Sequence, residues 1–357
     1  MDNILFINKE QYGYHIDTYK YCVYLSGKFN ITYICWDEGR KKIFTEGINC
    51  IYLQKEGGLI NRYLILIRSV RNEIYKNNYD LIFILYFFGC SLLKLFNINS
   101  TFNLDIRTIA VTSNKSKNFI LDKLLKFETL FFKNITVISQ ETGKQIRIKE
   151  FTVLPLGGES IVDSKILTDN LNLIYVGTLS NRNIMTLVNG FKKYILSYPV
   201  IRKTTLTLIG DGYNNELEII NQFIKFNGLE KFVFTTGYVQ NDNLDVYFEK
   251  ATCGVSFVPI TPYYQNQPPT KTYEYLLSGL PVLATNTNAN AKIIHRSNGV
   301  LILDNIDGVS NGIFEISEKL SSFKSAQIQK EMEGSLWKNI VINILVPYLG
   351  NILNKNK

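Results

Sequence analysis

Short, almost purely apolar runs alternate along this chain with longer segments whose apolar residues recur every three or four positions. In the first half, "NILFI" reads as a strand, "YHIDTYKYCVYLSGK" as a helix ending at Gly27, "NITYICW" as a strand and "IYLQK" as a short third one. "NRYLILIRSVRNEIYKNN" carries Tyr63, Ile67, Val70 and Ile74 on one helical stripe. Strand "DLIFILYF", short helix "GCSLLKLF", strand "NLDIRTIAV" and long helix "KNFILDKLLKFETLFFKN" follow, then strand "ITVIS", helix "QETGKQIRIK" and closing strand "FTVLPLG". The second half restarts the rhythm with strand "LNLIYVG", helix "NIMTLVNGFKKYILSY", strand "TTLTLIGDG", helix "NELEIINQFIKFNG" and strand "KFVFTTGY". "NLDVYFEKA", "CGVSFVP", the helix of "PPTKTYEYLLSG" and "LPVLAT" complete it. Nearly continuous apolar strands separated by helices predict parallel sheets covered on both faces.

The aperiodic stretch from Gly157-Gly158 to about Thr168 is the natural linker, and the length favours about two domains. The expectation is an α/β chain of two doubly wound domains facing a cleft, 1–160 and 168–335. The last segment, 336–357, reads as an amphipathic helix with Trp337, Ile340, Ile344 and Tyr348 on one stripe. Packing on a core is the expected use of that stripe; docking on an anionic membrane is the alternative.

In such sheets ligands bind outside the carboxyl ends of the strands, so the loops there carry the candidate chemistry. "YVGTLSNRNI" places Gly177 at a strand end and Arg182 just before a helix, where backbone amides and a forked guanidinium suit phosphate oxygens. Alone this is also an ordinary strand–helix turn. Gly210 and Gly212 in "IGDGYNNEL" form a tight turn first and a ligand approach second, since no third glycine completes a dinucleotide fingerprint. Gly237 and Tyr238 offer a surface for a base, or plain turn chemistry.

The stretch "PPTKTYEYLLSGLPVLAT" is the most informative. Thr270 is placed to cap a helix whose first-turn amides, with Lys271, make a positive field, and Glu274 shares the Lys271 face. An i,i+3 surface ion pair explains the pair equally simply. Gly279 stops the helix and Pro281 opens the next strand.

From Asn172 to about Leu303 the chain resembles the donor domain of family 4 retaining glycosyltransferases of GT-B fold, through "YVGTLSNRN", "LIGDG", "FTTGYV", "PPTKTYEYLLSGLPVLAT" and "NGVLI". The lysine–glutamate segment is similar to the version common in bacterial cell-surface polysaccharide enzymes. The resemblance implies that Glu274 binds the ribose of a nucleoside diphosphate sugar and that Arg182 and Lys271 face its diphosphate as the catalytic cations. Gly177, Gly210, Tyr238, Thr270, Lys271 and Thr272 would complete the donor site. The family's first glutamate falls on Asn266, and its glycine–arginine pair reads Gly177-Thr178, which leaves the cationic role to Arg182. The first half resembles the family only in pattern. There Tyr12, Gly13 and His15 occupy the place of an acceptor loop and Asp105 and Arg107 that of a "DxR" segment, so an acceptor glycan or lipid-linked glycan would meet them. For His15 helix capping, and for Asp105 and Arg107 a structural pair, are the competing readings.

Composition narrows the partners. A net charge of +8 favours anionic ones: nucleotide, phosphate-bearing lipid, membrane surface or nucleic acid. No basic stripe with interleaved aromatics supports nucleic acid. Five scattered cysteines and two histidines argue for a reduced, cytoplasmic setting and against a zinc or histidine-rich centre. The N-terminus does not read as a signal peptide, and "LIFILYFFGCSLLKLF" is too short and interrupted to span a bilayer. No D-x-D pair occurs, so neither an essential metal nor another cofactor is expected. The implied reaction is sugar transfer to a hydroxyl with retention. A non-catalytic nucleotide-sugar-binding relative and a nucleotide-sugar epimerase are the rivals.

Overall fold

The computed structural model describes residues 1–97, 99–109, 115–163, 167–198, 202–262, 264–266 and 269–355. The chain divides into two compact units, Met1–Leu156 with Trp337–Lys357, and Gly157–Leu336.

The first unit runs β1 (Asn3–Ile7), α1 (Ile16–Leu25), β2 (Asn30–Trp36), β3 (Ile48–Leu53), α2 (Leu59–Lys76), β4 (Leu81–Leu85), α3 (Ser91–Phe96), β5 (Phe102–Ile106), α4 (Lys115–Thr129), β6 (Asn134–Val137), α5 (Gln140–Ile146) and β7 (Thr152–Val153). Its strands form one parallel sheet in the order β3-β2-β1-β4-β5-β6-β7. Side chains alternate across a strand, so β1 sends Ile4 and Phe6 to one face and Leu5 and Ile7 to the other. β4 does the same with Leu81 and Phe83 against Ile82 and Ile84. Full burial of each such residue stabilises by about 1.5–3 kcal/mol. Burial on both faces requires helices on both: α1 covers the first face, and α2, α3, α4 and α5 the second.

The second unit runs β8 (Leu171–Val176), α6 (Ile184–Ser197), β9 (Thr204–Ile209), α7 (Glu216–Phe226), β10 (Val233–Gly237), α8 (Asp245–Lys250), β11 (Cys253–Ser256), α9 (Thr270–Leu277), β12 (Val282–Thr285), β13 (Gly299–Ile302), α10 (Ile306–Lys319) and α11 (Ser325–Met332). Its parallel sheet has the order β10-β9-β8-β11-β12-β13, so the chain changes direction across the sheet between β8 and β11. The carboxyl ends beside that reversal are where such a sheet offers a crevice. Helices α10 and α11 went unread in the sequence, although Asn305 caps α10 by accepting from the Gly308 N–H at 2.7 Å.

Three expectations are corrected at their edges. The closing strand shrinks to Thr152–Val153, because Pro155 has no N–H to continue the ladder. The strand expected over "NLDIRTIAV" ends at Ile106, and Ala110 and Val111 lie outside the described residues. The final helix is not one uniform stripe. α12 (Trp337–Ile340) passes through a π-helical turn (Val341–Leu345) into α13 (Val346–Asn354). In that turn the Val346 N–H bonds the Val341 carbonyl, five residues back. Pro347, which lacks an N–H and crowds the carbonyl four residues before it, accounts for the widening. The buried seam therefore moves to Trp337, Ile340, Val341, Leu345 and Leu349, and Ile344 and Tyr348 lie at its edge. That seam completes the first unit's core beside α1.

Candidate functional site

The carboxyl ends of β8, β9 and β10 are laced together by backbone. Gly177 donates to the Ile209 carbonyl, Gly210 to the Gly237 carbonyl and Leu179 to the Asp211 carbonyl, each at 2.9 Å. Gly210 has φ +146°, and a Cβ there would stand 1.9 Å from the Gly177 carbonyl oxygen. Only glycine permits this approach. The loops so drawn together enclose a cavity of about 510 Å³, lined by backbone-rich segments at Gly177–Thr178, Ile209–Tyr213 and Tyr238–Val239, by Asn241, and by Lys271 from α9. Of the residues expected at a donor site, Gly177, Gly210, Tyr238 and Lys271 line it. Thr178, Asp211, Tyr213, Val239 and Asn241 also line it and were not singled out from the sequence, though they sit in the loops that were. The Gly177 amide is engaged by Ile209, so this glycine gives close approach rather than a free donor.

Helix α9 brings Lys271 to the cavity from the neighbouring strand loop. Its buried face holds it in place: Tyr275 stacks on Phe248, and its hydroxyl accepts the Val176 N–H of β8 at 2.8 Å. Thr270 is not the cap that was expected. Pro269 precedes the first turn and supplies no side-chain acceptor, and Thr270 is the first helical residue. Thr272 is also corrected: it is fully buried, with its hydroxyl shared with Ser256 at 2.7 Å and its N–H given to Pro269. It supports the helix and has no surface for a ligand. Lys271 Nζ and Glu274 Oε2 form the i,i+3 ion pair at 2.5 Å. Glu274 is thus next to the cavity through Lys271 but is not among its lining residues. Its Oε1 accepts no hydrogen bond among the described residues.

Arg182 is held at the β8–α6 turn between Asn181 and Asn183, both left-handed at φ +58° and +52°. Its guanidinium lies over the Tyr264 ring, 4.4 Å from the centroid, and donates to the Tyr264 hydroxyl. Such stacking orients a cation and leaves its other donors available. Burial pushes the nearby Tyr175 phenol up, with the Arg182 charge opposing that shift. Tyr175 donates to the Thr178 carbonyl at 2.7 Å. Arg182 therefore stands against the wall that Thr178 forms, without itself lining the cavity.

The candidates in the first unit are mostly structural. Tyr12 is fully buried and bonds Thr45 at 2.9 Å, and Gly13 turns at φ +92° against Ile43. His15 caps α1 by accepting from the Thr18 N–H, and burial holds its pKa below the usual value. Arg107 pairs with Asp17 at 2.5 Å, not with Asp105, and donates to the Leu154 carbonyl. Asp105 accepts from Thr136 at 2.8 Å, and burial raises its pKa to about 6. Asp17 in the first turn of α1 had no sequence signal linking it to Arg107, ninety residues away. No group of three His, Cys, Asp or Glu side chains suited to a metal occurs among the described residues.

A parallel sheet with a glycine-lined hollow beside its reversal, served by a lysine from a helix start, has the chemistry to receive an anionic ligand. Residues 170–318, which contain the whole cavity, match the model of the family described as Glycosyl transferases group 1. No curated protein matches the chain in sequence. The structure is similar to sucrose-phosphate synthase from Thermosynechococcus elongatus, at 14% identity and TM-score 0.76 over 99% of this chain and 100% of that one. It is similar to HepE from Anabaena in complex with UDP and glucose, at 13% identity and TM-score 0.75 over 98% and 100%. A third likeness is to the lipopolysaccharide outer core galactosyltransferase WaaB in its apo form, at 11% identity and TM-score 0.70 over 100% of each chain. At such identities the structural likeness carries the fold, which is GT-B with two parallel-sheet α/β domains. The family match over residues 170–318 is what supports a glycosyltransferase.

Proposed function

We propose that the chain is a retaining family 4 glycosyltransferase that moves a sugar from a nucleoside diphosphate sugar to a hydroxyl of a glycan or lipid-linked acceptor. The setting that fits is the cytoplasmic assembly of a bacterial surface glycan such as capsule or lipopolysaccharide. One observation carries this reading: Lys271 projects from the start of α9 into a hollow built from the β8, β9 and β10 loops. As the glycosidic bond breaks, the leaving diphosphate gains negative charge, and a preorganised cation there is worth about 10²–10³ in rate. Arg182, aligned by Tyr264, is the second cation. Glu274 keeps one oxygen on Lys271 and presents the other to a ribose hydroxyl. The Tyr213 and Tyr238 rings stand at the rim, where a base would lie.

HepE is a neighbour solved with UDP-glucose, so uridine is the first base to try. The test is thermal unfolding of the full chain with UDP, GDP, ADP and CDP in turn. Saturation at about a hundredfold over Kd stabilises by about 2.7 kcal/mol. Absence of any nucleotide response, or an equal response in Lys271→Ala, refutes the site. Transfer is proposed to need no metal, and complete loss of activity in excess chelator contradicts that. A binder without turnover is the second reading. Its support is that Asn266, at the family's first glutamate, offers an amide that accepts from Asn288 at 3.3 Å. Nucleotide binding with no release of UDP from any UDP-sugar would decide for it.

A further inference from the structure

Helix α4 carries large apolar side chains on the face that points away from its own core. Leu125 is buried and Glu128 and Thr129 are enclosed, as the 3.6-residue period requires of a helix packed on a sheet. Yet Phe119, Ile120 and Phe127 are 63%, 57% and 57% exposed, and Leu130, just past the helix end, is 73% exposed. At about 100° per residue these four positions share one arc with Lys123, and Lys126 borders it. The Lys123 ammonium lies 5.2 Å from the Phe119 ring centroid. The acidic residues of the segment lie off this arc, Asp122 half-buried and Glu128 buried.

Glu128 also extends the surface. Its carboxylate accepts the N–H groups of Gly89 at 2.6 Å and Ser91 at 3.0 Å, which ties the start of α3 to α4. Phe88 and Leu92, both exposed, stand at that start. A scattered exposed leucine is ordinary, but an apolar stripe edged with lysines on one helix is an interaction surface. Its charge selects the occupant. An apolar interior behind a negative headgroup layer satisfies the rings and the ammonium groups at once.

We propose that this face of α4 docks on an anionic lipid bilayer, with the helix lying in the interface plane. The terminal helix cannot serve that purpose, since its apolar seam lies in the core of the first unit. No helix among the described residues is long and apolar enough to cross a membrane, so contact by this face is peripheral. The proposal deepens the lipid-linked acceptor reading and rests on it for its purpose, although vesicle binding is measured without donor or acceptor.

The experiment is co-sedimentation of the full chain with phosphatidylcholine vesicles, with and without phosphatidylglycerol. Wild type is expected on the anionic vesicles, with binding that weakens in salt. Phe119→Ser/Phe127→Ser is expected to lose at least about tenfold in partition. Lys123→Glu/Lys126→Glu is expected to lose the preference for anionic lipid. Phe226→Ser, at a still more exposed site on α7 of the second unit, should bind as wild type. Lys126 is half-buried and the other substituted side chains are exposed, and an unchanged melting temperature confirms folding. The proposal is overturned if wild type stays in the supernatant, if the α4 variants bind undiminished, or if sedimentation velocity shows a dimer that Phe119→Ser/Phe127→Ser dissolves. A wild type that stays off the vesicles but is still stabilised by nucleotide refutes the docking face alone. The reverse pattern refutes the donor site alone.

Discussion

Gly210→Ala is the substitution on which the geometry of the cavity can be judged. A methyl group at this position would stand 1.9 Å from the Gly177 carbonyl oxygen and 2.9 Å from its carbon, both backbone atoms that no rotamer change can move aside. The φ of +146° adds about 1–3 kcal/mol of strain for any residue with a Cβ. Pushing Gly177 away also breaks its 2.9 Å bond to Ile209, worth about 1 kcal/mol. The sum is about 3 kcal/mol, or roughly 6–12 °C in Tm for a unit of this size. Gly228→Ala is the control. It has φ +63° but open space around its Cβ, so only the left-handed strain of about 1–2 kcal/mol remains. The discriminating readout is the response to nucleotide. Gly177 and Gly210 line the cavity and Gly228 does not, so the control should keep the shift given by saturating UDP and Gly210→Ala should lose it. If both variants melt together and respond alike, the loops do not meet as described, or the ligand binds elsewhere.

Lys271→Ala should lower kcat by about 10²–10³ with little change in Tm, because partly exposed pairs such as Lys271–Glu274 contribute at most about 1 kcal/mol. Large unfolding instead would make the lysine structural. Tyr264→Phe should retain most activity and Tyr264→Ala should lose about tenfold, since stacking on Arg182 survives the first change only; equal losses would argue against alignment by the ring. Arg107→Ala should destabilise the first unit by about 3–5 kcal/mol by stranding the buried Asp17 carboxylate, as read by denaturant unfolding. Asp105 gives a pH test. Burial raises it from 3.8 to about 6, so the folded state holds this proton more tightly than the unfolded chain. The resulting stability is full below about pH 4 and is lost as pH rises through about 6, up to about 3 kcal/mol. Asp105→Asn should therefore gain on wild type as pH rises from about 4.5 to 7, and a constant difference refutes it.

The strand–helix alternation was legible because apolar period carries it, and the loops at strand ends followed from topology. The lysine–glutamate helix and its glycine stop were legible because they are local. What was missed depends on distance in sequence. Asp17 meets Arg107 only after α1 folds across the ends of β1 and β5, so the apparent neighbour Asp105 looked like the partner. Thr272 looks like a ligand contact in a string of letters, and only the packing of α9 on β11 turns its hydroxyl to Ser256. The π turn before Pro347 shifts a stripe by one residue, which no constant-period reading can follow. Tyr264 reaches Arg182 from a loop with no periodicity at all.

The lacing of the strand ends decides which groups are left for charge. Many phosphate sites rely on free backbone amides. Here the Gly177 and Gly210 amides already bond Ile209 and Gly237, so closing the hollow removes two donors from it. The negative charge of a diphosphate must then be met mainly by side chains, and Lys271 is the cation that lines the space. Glu274 opposes that field at rest, and on the proposed reading a ribose hydroxyl would give its second oxygen a donor, drawing the carboxylate toward the sugar and releasing the ammonium toward the phosphates. Glu274→Gln tests this step. It keeps the hydroxyl acceptor but frees Lys271 from its counter-charge, so affinity for free inorganic pyrophosphate should rise while discrimination for nucleotide over pyrophosphate falls. A variant that binds both ligands more weakly would show that the carboxylate organises Lys271 rather than restrains it.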